Sequence, residues 1–211
     1  MSYMGLNMLN RITGWGQVTK NDLHEVSLDG IVAVVTGPHT EGGKETVRGL
    51  ALRGARVILA SKTEAEGVDL ELPNVRKIKC DLASFASVRE FCRLVDREEE
   101  KVDILINNAT VFSTKRKLTE DGQELVFQVN HLSHFLLTNL LMDKLKASKA
   151  ARIINVSSVA HWSASLLPTE ALSLTKSSGG YLGGVSIFAL SQLSNILFTL
   201  ELSQKLKGLF F

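Results

Sequence analysis

The sequence is poor in cysteine, proline and tyrosine: two, three and two of them in 211 residues. Cys80 and Cys92 are too few and too far apart for a disulfide framework or a thiolate metal site, and they read as reduced, buried thiols. So little proline, beside sixteen glycines, excludes a low-complexity or fibrous chain. An excess of one charge is also missing, because 24 Lys and Arg against 22 Asp and Glu leave +2. That balance gives no electrostatic reason to expect nucleic acid or an anionic membrane as partner. The first 28 residues carry Arg11, Lys20 and Asp22 and hold neither a signal-like apolar core nor a run near the length of a membrane span. Residues 1–18 read as an ordinary packed or flexible arm, with a weak surface-lying helix as the alternative. The expectation is a cytoplasmic chain, peripheral to a membrane at most, with an arm over 1–27 and a single domain over 28–211.

What is present is an alternation of short apolar runs and helical patterns. Residues 31–37 (IVAVVTG), 56–62 (RVILASK), 75–82, 102–109 (VDILINNA) and 152–158 (RIINVSS) read as five strands, apolar and β-branched. Between them, Phe85, Val88, Phe91, Cys92 and Val95 share one helix face, and Leu125, Val129, Leu132, Leu136 and Leu140 share another. A last helix is expected to turn Leu193, Ile196, Leu197 and Leu200 to one side. The run Glu98-Glu99-Glu100-Lys101 reads as a solvated helix end, and Lys115-Arg116-Lys117 as a solvent-facing basic loop. Continuous apolar strands separated by helices specify a doubly wound α/β fold, its parallel sheet covered on both faces.

In such a sheet a ligand sits beyond the carboxyl ends of the strands. The first strand ends in Thr36-Gly37-Pro38-His39-Thr40-Glu41-Gly42-Gly43, a glycine-rich turn that opens a helix. Backbone N–H groups in such a turn can approach a pyrophosphate, although any strand-to-helix turn also favours glycine. The segments TGPHTEGGKET, CDLAS, ILINNA, VNHLSHFLLTNLL, RIINVSSVAH and SNILFTLEL, in this order, resemble the short-chain dehydrogenase/reductase family, in its retinol-dehydrogenase-like branch. The resemblance implies a Rossmann-type domain of about five strands that binds NAD(H) or NADP(H) and passes hydride between cofactor and an alcohol or carbonyl. It assigns Thr36, Gly37 and Gly43 to the phosphate turn, Asp81 and Leu82 to the adenine contact, and Asn107, Asn108 and Ala109 to the stretch beside the cofactor. Ser61 and Lys62 close the second strand, where a cation suits the 2′-phosphate of NADP and a carboxylate would suit NAD; NADP is the expected cofactor. Asn130 and Ser158 match the helix asparagine and the substrate-orienting serine, while Ser157 and Asn155 read as structural.

The departures from the family pattern matter as much. Its catalytic tyrosine and lysine, four residues apart, align with Phe188 and Gln192. Tyr3 and Tyr181 offer no rescue, since Asn7 and Val185 stand four residues after them. A positioned acid/base is worth about 10²–10⁴-fold, so ordinary turnover should be crippled. Glu41 takes the place of the middle glycine: it opposes a pyrophosphate and partly replaces it at the helix N-terminus, or Gly42 shifts the turn and Glu41 faces solvent. The 63–74 connection is short for a crossover helix. The chain stops at Phe211, before the last two strands that the family adds, which is expected of a truncated form with a bare fifth strand. Among the histidines, His161 is a candidate surrogate donor, His39 a candidate phosphate contact, and His131 and His134 core or surface residues.

Two readings follow. One is a catalytically impaired relative that works by binding a cofactor or a partner, in a homo- or heterodimer built on helices over 123–147 and 188–207. The other is an active NADP(H)-dependent oxidoreductase on retinoid-like or other lipophilic alcohols and carbonyls. No metal is expected in either.

Overall fold

A computed structural model describes residues 26–62, 72–164 and 181–207. The 1–25 arm, most of the 63–74 connection and the closing Leu209-Phe210-Phe211 lie outside the described residues. Five strands form one parallel sheet in the order β3-β2-β1-β4-β5, with β1 Val32–Thr36, β2 Arg56–Ser61, β3 Val75–Lys79, β4 Ile104–Asn107 and β5 Arg152–Asn155. The jump from β3 back to β4 beside β1 makes the β1/β4 boundary the switch point, where a crevice opens at the strand ends.

The strands hold because alternate residues feed two cores. On one face Val34, Ile58, Ile78 and Leu105 pack under α2 (Phe85–Glu98) and α3 (Ser133–Leu140). On the other, Ala33, Val35, Val57, Leu59 and Ile106 pack under α1 (Glu41–Ala51) through Val47, Leu50 and Ala51. Full burial of a side chain such as Phe91 contributes on the order of 2–3 kcal/mol. Cover on the α1 face thins toward the edge: across one row, Val35 is 0% exposed, Ile106 7% and Ile154 43%. The fifth strand is thus one edge of the sheet among the described residues, as expected, and β3 is the other. Both cysteines are buried and unpaired with each other, and burial pushes both thiols far above their ordinary range.

Three expectations are corrected. The helix over 125–146 is not continuous: an α-turn at Leu125–Phe127 passes into a π-turn at Gln128–Leu132, then into α3 and α4 (Met142–Lys146). The wider π-turn rotates the buried stripe onto Asn130, Ser133, His134, Leu137 and Leu141, which leaves Leu140 at the surface. In the last helix, α5 (Tyr181–Lys205), the stripe expected on one side runs along its outer part, with Leu193 and Ile196 half-buried and Leu197 and Leu200 55% and 54% exposed. Ser191, Gln192, Asn195 and Phe198 face inward: Asn130 partners Ser191 and Asn195, His131 partners Asn195, and Gln192 Nε2 reaches Ser191 Oγ. The stretch Gly184–Lys205 is the one described helix long and apolar enough to cross a membrane. In this fold, Ile187, Ala189 and Phe198 on it are buried against the rest of the chain. Finally, Glu99 is not solvated but buried, taking a 2.6 Å bond from Arg56 on β2. Arg116 in the basic loop is half-buried, between exposed Lys115 and Lys117.

Candidate active site

The carboxyl ends of β1, β2, β3 and β4 surround a cleft of about 250 Å³. Its walls include Gly37, His39, Ser61, Lys62, Asp81, Leu82 and Ala109, so six of the ten positions assigned to cofactor contact meet there. Thr36, Gly43, Asn107 and Asn108 are not among its lining residues. Glycine is required in two places. Gly37 has φ +63°, and a Cβ on it would stand 2.6 Å from the Ala109 Cα. A Cβ at Gly43 would run into the Gly37 carbonyl oxygen and stand 3.0 Å from Asn108 Nδ2. The turn is therefore pressed against the end of β4 with no room for side chains.

Polar groups bind these pieces together. Asn108 Nδ2 donates to the carbonyls of Thr36 and Gly37, both at 3.0 Å, and reaches Thr40 Oγ1 at 3.2 Å. The Thr36 hydroxyl accepts from the backbone N–H groups of Asn108 and Ala109, each at 2.9 Å. Thr40 caps α1, its hydroxyl accepting from Gly43 N at 3.0 Å. Glu41 is then the first residue of α1 and is solvent-exposed, while Gly42 meets nothing within 4 Å. Lys62 Nζ lies 3.2 Å from Asp81 Oδ2 across the mouth of the cleft. Asn107 points away from it: Nδ2 donates to Thr138 Oγ1 at 3.1 Å and Asn155 Oδ1 at 2.7 Å, and Oδ1 is buried with no partner among the described residues.

Asn130 sits in the π-turn and works as a clamp. Its Oδ1 accepts from Val111 N at 2.8 Å, and its Nδ2 donates to Val111 O at 3.0 Å and Ser191 Oγ at 3.1 Å. This fixes the segment after β4 between the π-turn and α5. The segment is also squeezed by α5 itself, where a Cβ on Gly184 would meet the Ser113 carbonyl oxygen.

The four positions assigned to catalysis are spread around that clamp. Ser158 follows β5 and caps a 3₁₀ turn (Val159–Ser163), its hydroxyl accepting from Ala160 N at 3.3 Å. Phe188 turns its ring edge-on to Phe112, with centroids 5.6 Å apart. Gln192 is buried, with Nε2 3.4 Å from Ser191 Oγ, while its backbone carbonyl accepts from Ser157 Oγ at 3.0 Å. His161 Nδ1 donates to Ser158 O at 2.7 Å. His39 is exposed at the rim. Among the described residues no group of His, Cys, Asp or Glu could hold a metal ion. The residues missed in the sequence are Ser191, Asn195, Val111 and the active linkage of His134; polar Ser191 and Asn195 in an otherwise apolar helix were the available signal.

Residues 31–166 match the family model described as short chain dehydrogenase. Curated relatives include retinol dehydrogenase 13 of Mus musculus, 45% identical over 203 residues, covering 87% of this chain and 56% of the relative. Retinol dehydrogenase 12 of Homo sapiens is 42% identical over 191 residues, covering 87% of this chain and 59% of the relative. The chain thus spans less than two thirds of the length of these relatives. Among solved structures, an uncharacterised protein from Mycobacterium paratuberculosis superposes with a TM-score of 0.75 at 34% identity, over 86% of this chain and 65% of that one. The RhlG/NADP complex of Pseudomonas aeruginosa superposes with a TM-score of 0.67 at 26% identity, over 87% and 70%. A Rossmann-type sheet, a glycine turn wedged against the end of β4 and a family match over most of the described residues agree: the chain belongs to the short-chain dehydrogenase/reductase family, with retinol dehydrogenases among its relatives.

Proposed function

We propose that this chain binds NADP(H) in the cleft and transfers hydride poorly or not at all, so that its role rests on binding a cofactor or a partner. The observation that carries this reading is the Phe188 ring, packed edge-on against Phe112 where the family's phenol would stand. A phenyl ring keeps the packing of a tyrosine and has no proton to give. Gln192, four residues on, is buried and neutral, so it offers no positive charge to lower a phenol's pKa. Losing a positioned acid/base removes about 10²–10⁴-fold in rate.

The residues present fit a dinucleotide. Glycine at 43 lets the first turn of α1 pack tightly against Gly37, Thr40 and Asn108 beside the cleft, and at that helix end N–H groups and the helix dipole favour anions such as a pyrophosphate. When bound, the dinucleotide supplies the hydride. Thr36, Asn108 and Ala109 hold the turn against β4, Asp81 and Leu82 face the base, and Lys62 meets a 2′-phosphate. Exposed Glu41 charges the approach to the helix end, which weakens binding without blocking it. Ser158 would orient a carbonyl oxygen. The family relation and exposed Phe112 favour a lipophilic substrate class. Outward Phe135, Leu140, Leu197 and Leu200 suit pairing with a second helix-bearing chain. In this reading residues 28–211 are one dinucleotide-binding domain, working in the cytoplasm or at a membrane surface.

A second reading, an active enzyme with a surrogate donor, rests on His161, whose Nδ1 bond to Ser158 O anchors its ring beside the serine motif. The two part in one experiment: NADPH with a panel of aldehydes including retinal, followed at the cofactor absorbance. The expected result is NADPH binding with no turnover above a Ser158→Ala variant. Turnover above that control overturns the impaired reading, and its loss in His161→Gln would name the donor.

A further inference from the structure

His134 is wholly buried on α3, and its ring bridges two parts of the chain. Nδ1 lies 3.0 Å from the carbonyl oxygen of Asn130, and Nε2 lies 2.9 Å from the hydroxyl of Thr36, 98 residues away. The hydrogens in this chain can be counted. A hydroxyl has one hydrogen to donate and two lone pairs to accept with. The N–H groups of Asn108 and Ala109 occupy both lone pairs of Thr36 Oγ1. A third donor has no place there, so Thr36 must give its hydrogen away. The choices are His134 Nε2 at 2.9 Å and Ile106 O at 3.5 Å, of which only the first is a good bond. Nε2 is therefore an acceptor, and the ring hydrogen sits on Nδ1, aimed at Asn130 O. That carbonyl also accepts from Asn195 Nδ2 at 3.0 Å, so every site in the chain is used.

We infer that His134, as the neutral Nδ1–H tautomer, is a positioning residue for the dinucleotide turn, acting through the Thr36 hydroxyl from the Asn130 π-turn. This rests on the reading that the cleft binds a dinucleotide. Its consequence is directional. By taking the Thr36 hydrogen, His134 leaves both hydroxyl lone pairs for the N–H groups of Asn108 and Ala109, which pins the end of β4 against Gly37. Asn130 meanwhile clamps Val111 and Ser191, so one hydrogen-bonded path runs from α5 to the floor of the cleft. Burial supports the neutral ring, holding its pKa down to about 4. The neighbouring titratable group is His131, whose pKa is also lowered by burial, and among the described residues no carboxylate is bonded to the ring.

Two substitutions separate the ends of the ring. Glutamine reaches as Nε2 does and can accept from Thr36; asparagine reaches only as Nδ1 does and keeps the Asn130 side alone. NADPH titration is expected to give His134→Gln an affinity within about twofold of wild type and His134→Asn a loss of about five- to tenfold, the worth of one buried hydrogen bond. Equal losses in both variants, or none in His134→Asn, overturn the positioning role. Long-range proton–nitrogen correlations of the imidazole test the chain with no cofactor present. A hydrogen on Nδ1 from pH 6 to 8 is expected, and a hydrogen on Nε2 overturns the inference whatever the protein binds. A wild-type protein that binds no NADPH, with the hydrogen on Nδ1, overturns the dinucleotide reading and with it the role, while leaving the bond geometry standing.

Discussion

The two ends of the candidate site have kept different things. At the β1/β4 end, Thr36, Gly37, Gly43, Asn108 and Ala109 form a closed set in which each group is held by another, and a single Cβ has no room. At the α5 end Asn130, Ser191 and Ser157 form a comparable hydrogen-bonded frame, and in the proposed reading the groups that would move a proton are missing from it. There Phe188 and Gln192 would fill the volumes of the family's tyrosine and lysine with an inert ring and a neutral amide. On the proposed reading, the difference teaches that packing and chemistry are separable: two side chains would cost a site its reaction while its backbone geometry stays intact.

The largest effect expected is therefore a gain. In Phe188→Tyr/Gln192→Lys, NADPH-dependent reduction of a lipophilic aldehyde should rise about 10²-fold or more above the parent protein. Each single variant should gain far less, because a phenol without a neighbouring ammonium keeps a pKa near 10. Gln192 is buried, so an unpaired ammonium there costs stability, and NADPH should restore the melting temperature of the double variant. A double variant that binds NADPH yet stays inactive would show that the α5 frame, and not merely its two side chains, has been lost.

The complementary break is at the glycine turn. Gly43→Ala would force a Cβ onto the Gly37 carbonyl and crowd Thr40 Oγ1 and Asn108 Nδ2, so NADPH affinity should fall more than tenfold and stability by about 1–3 kcal/mol. Gly42→Ala, one residue earlier and facing open space, should bind as the parent does and gain about 0.5–1 kcal/mol in helix α1. Titration and thermal melts on the two variants read both effects. If Gly42→Ala is the damaging one, the turn has shifted by a residue and Glu41 stands elsewhere than described.

How much of this was legible follows from where each partner sits in the chain. The five strands were readable because buried parallel strands are continuous apolar runs, and the glycine turn because strand-to-helix spacing is local. The inward face of α5 was not legible because Ser191 and Asn195 on it are satisfied by Asn130 and His131, more than 60 residues away. The helix ahead of it was misread because a π-turn leaves no mark in a 3.6-residue period. Glu99 reads as a solvated charge in the sequence because its partner Arg56 is 43 residues distant on β2. Phe188 and Gln192 became informative only through the family resemblance; by composition they are unremarkable helix residues. The bond from His134 to Thr36 had no sequence signal at all, since only the fold brings residues 98 positions apart together.

The smallest effect concerns which dinucleotide the cleft prefers. Lys62 and Asp81 face each other at 3.2 Å, with 60% and 28% of their side chains exposed, so as a surface pair they contribute little to stability. Their leverage is on charge in the cleft. A 2′-phosphate would draw Lys62 from Asp81 and leave the carboxylate beside it, so the lysine's help and the aspartate's hindrance oppose each other. Lys62→Gln should weaken NADPH relative to NADH by about threefold to fivefold, and Asp81→Asn should shift the ratio by a similar factor toward NADPH. In the asparagine variant Oδ1 still accepts from Ala83 N, so the loop that carries it is preserved. Both shifts should shrink as salt is raised from about 0.05 M to 0.5 M, because the groups are solvent-exposed and screened. Paired titrations with the two cofactors read the ratio directly. An unchanged ratio in both variants would remove Lys62 from cofactor choice and leave the retained turn indifferent to the 2′-phosphate.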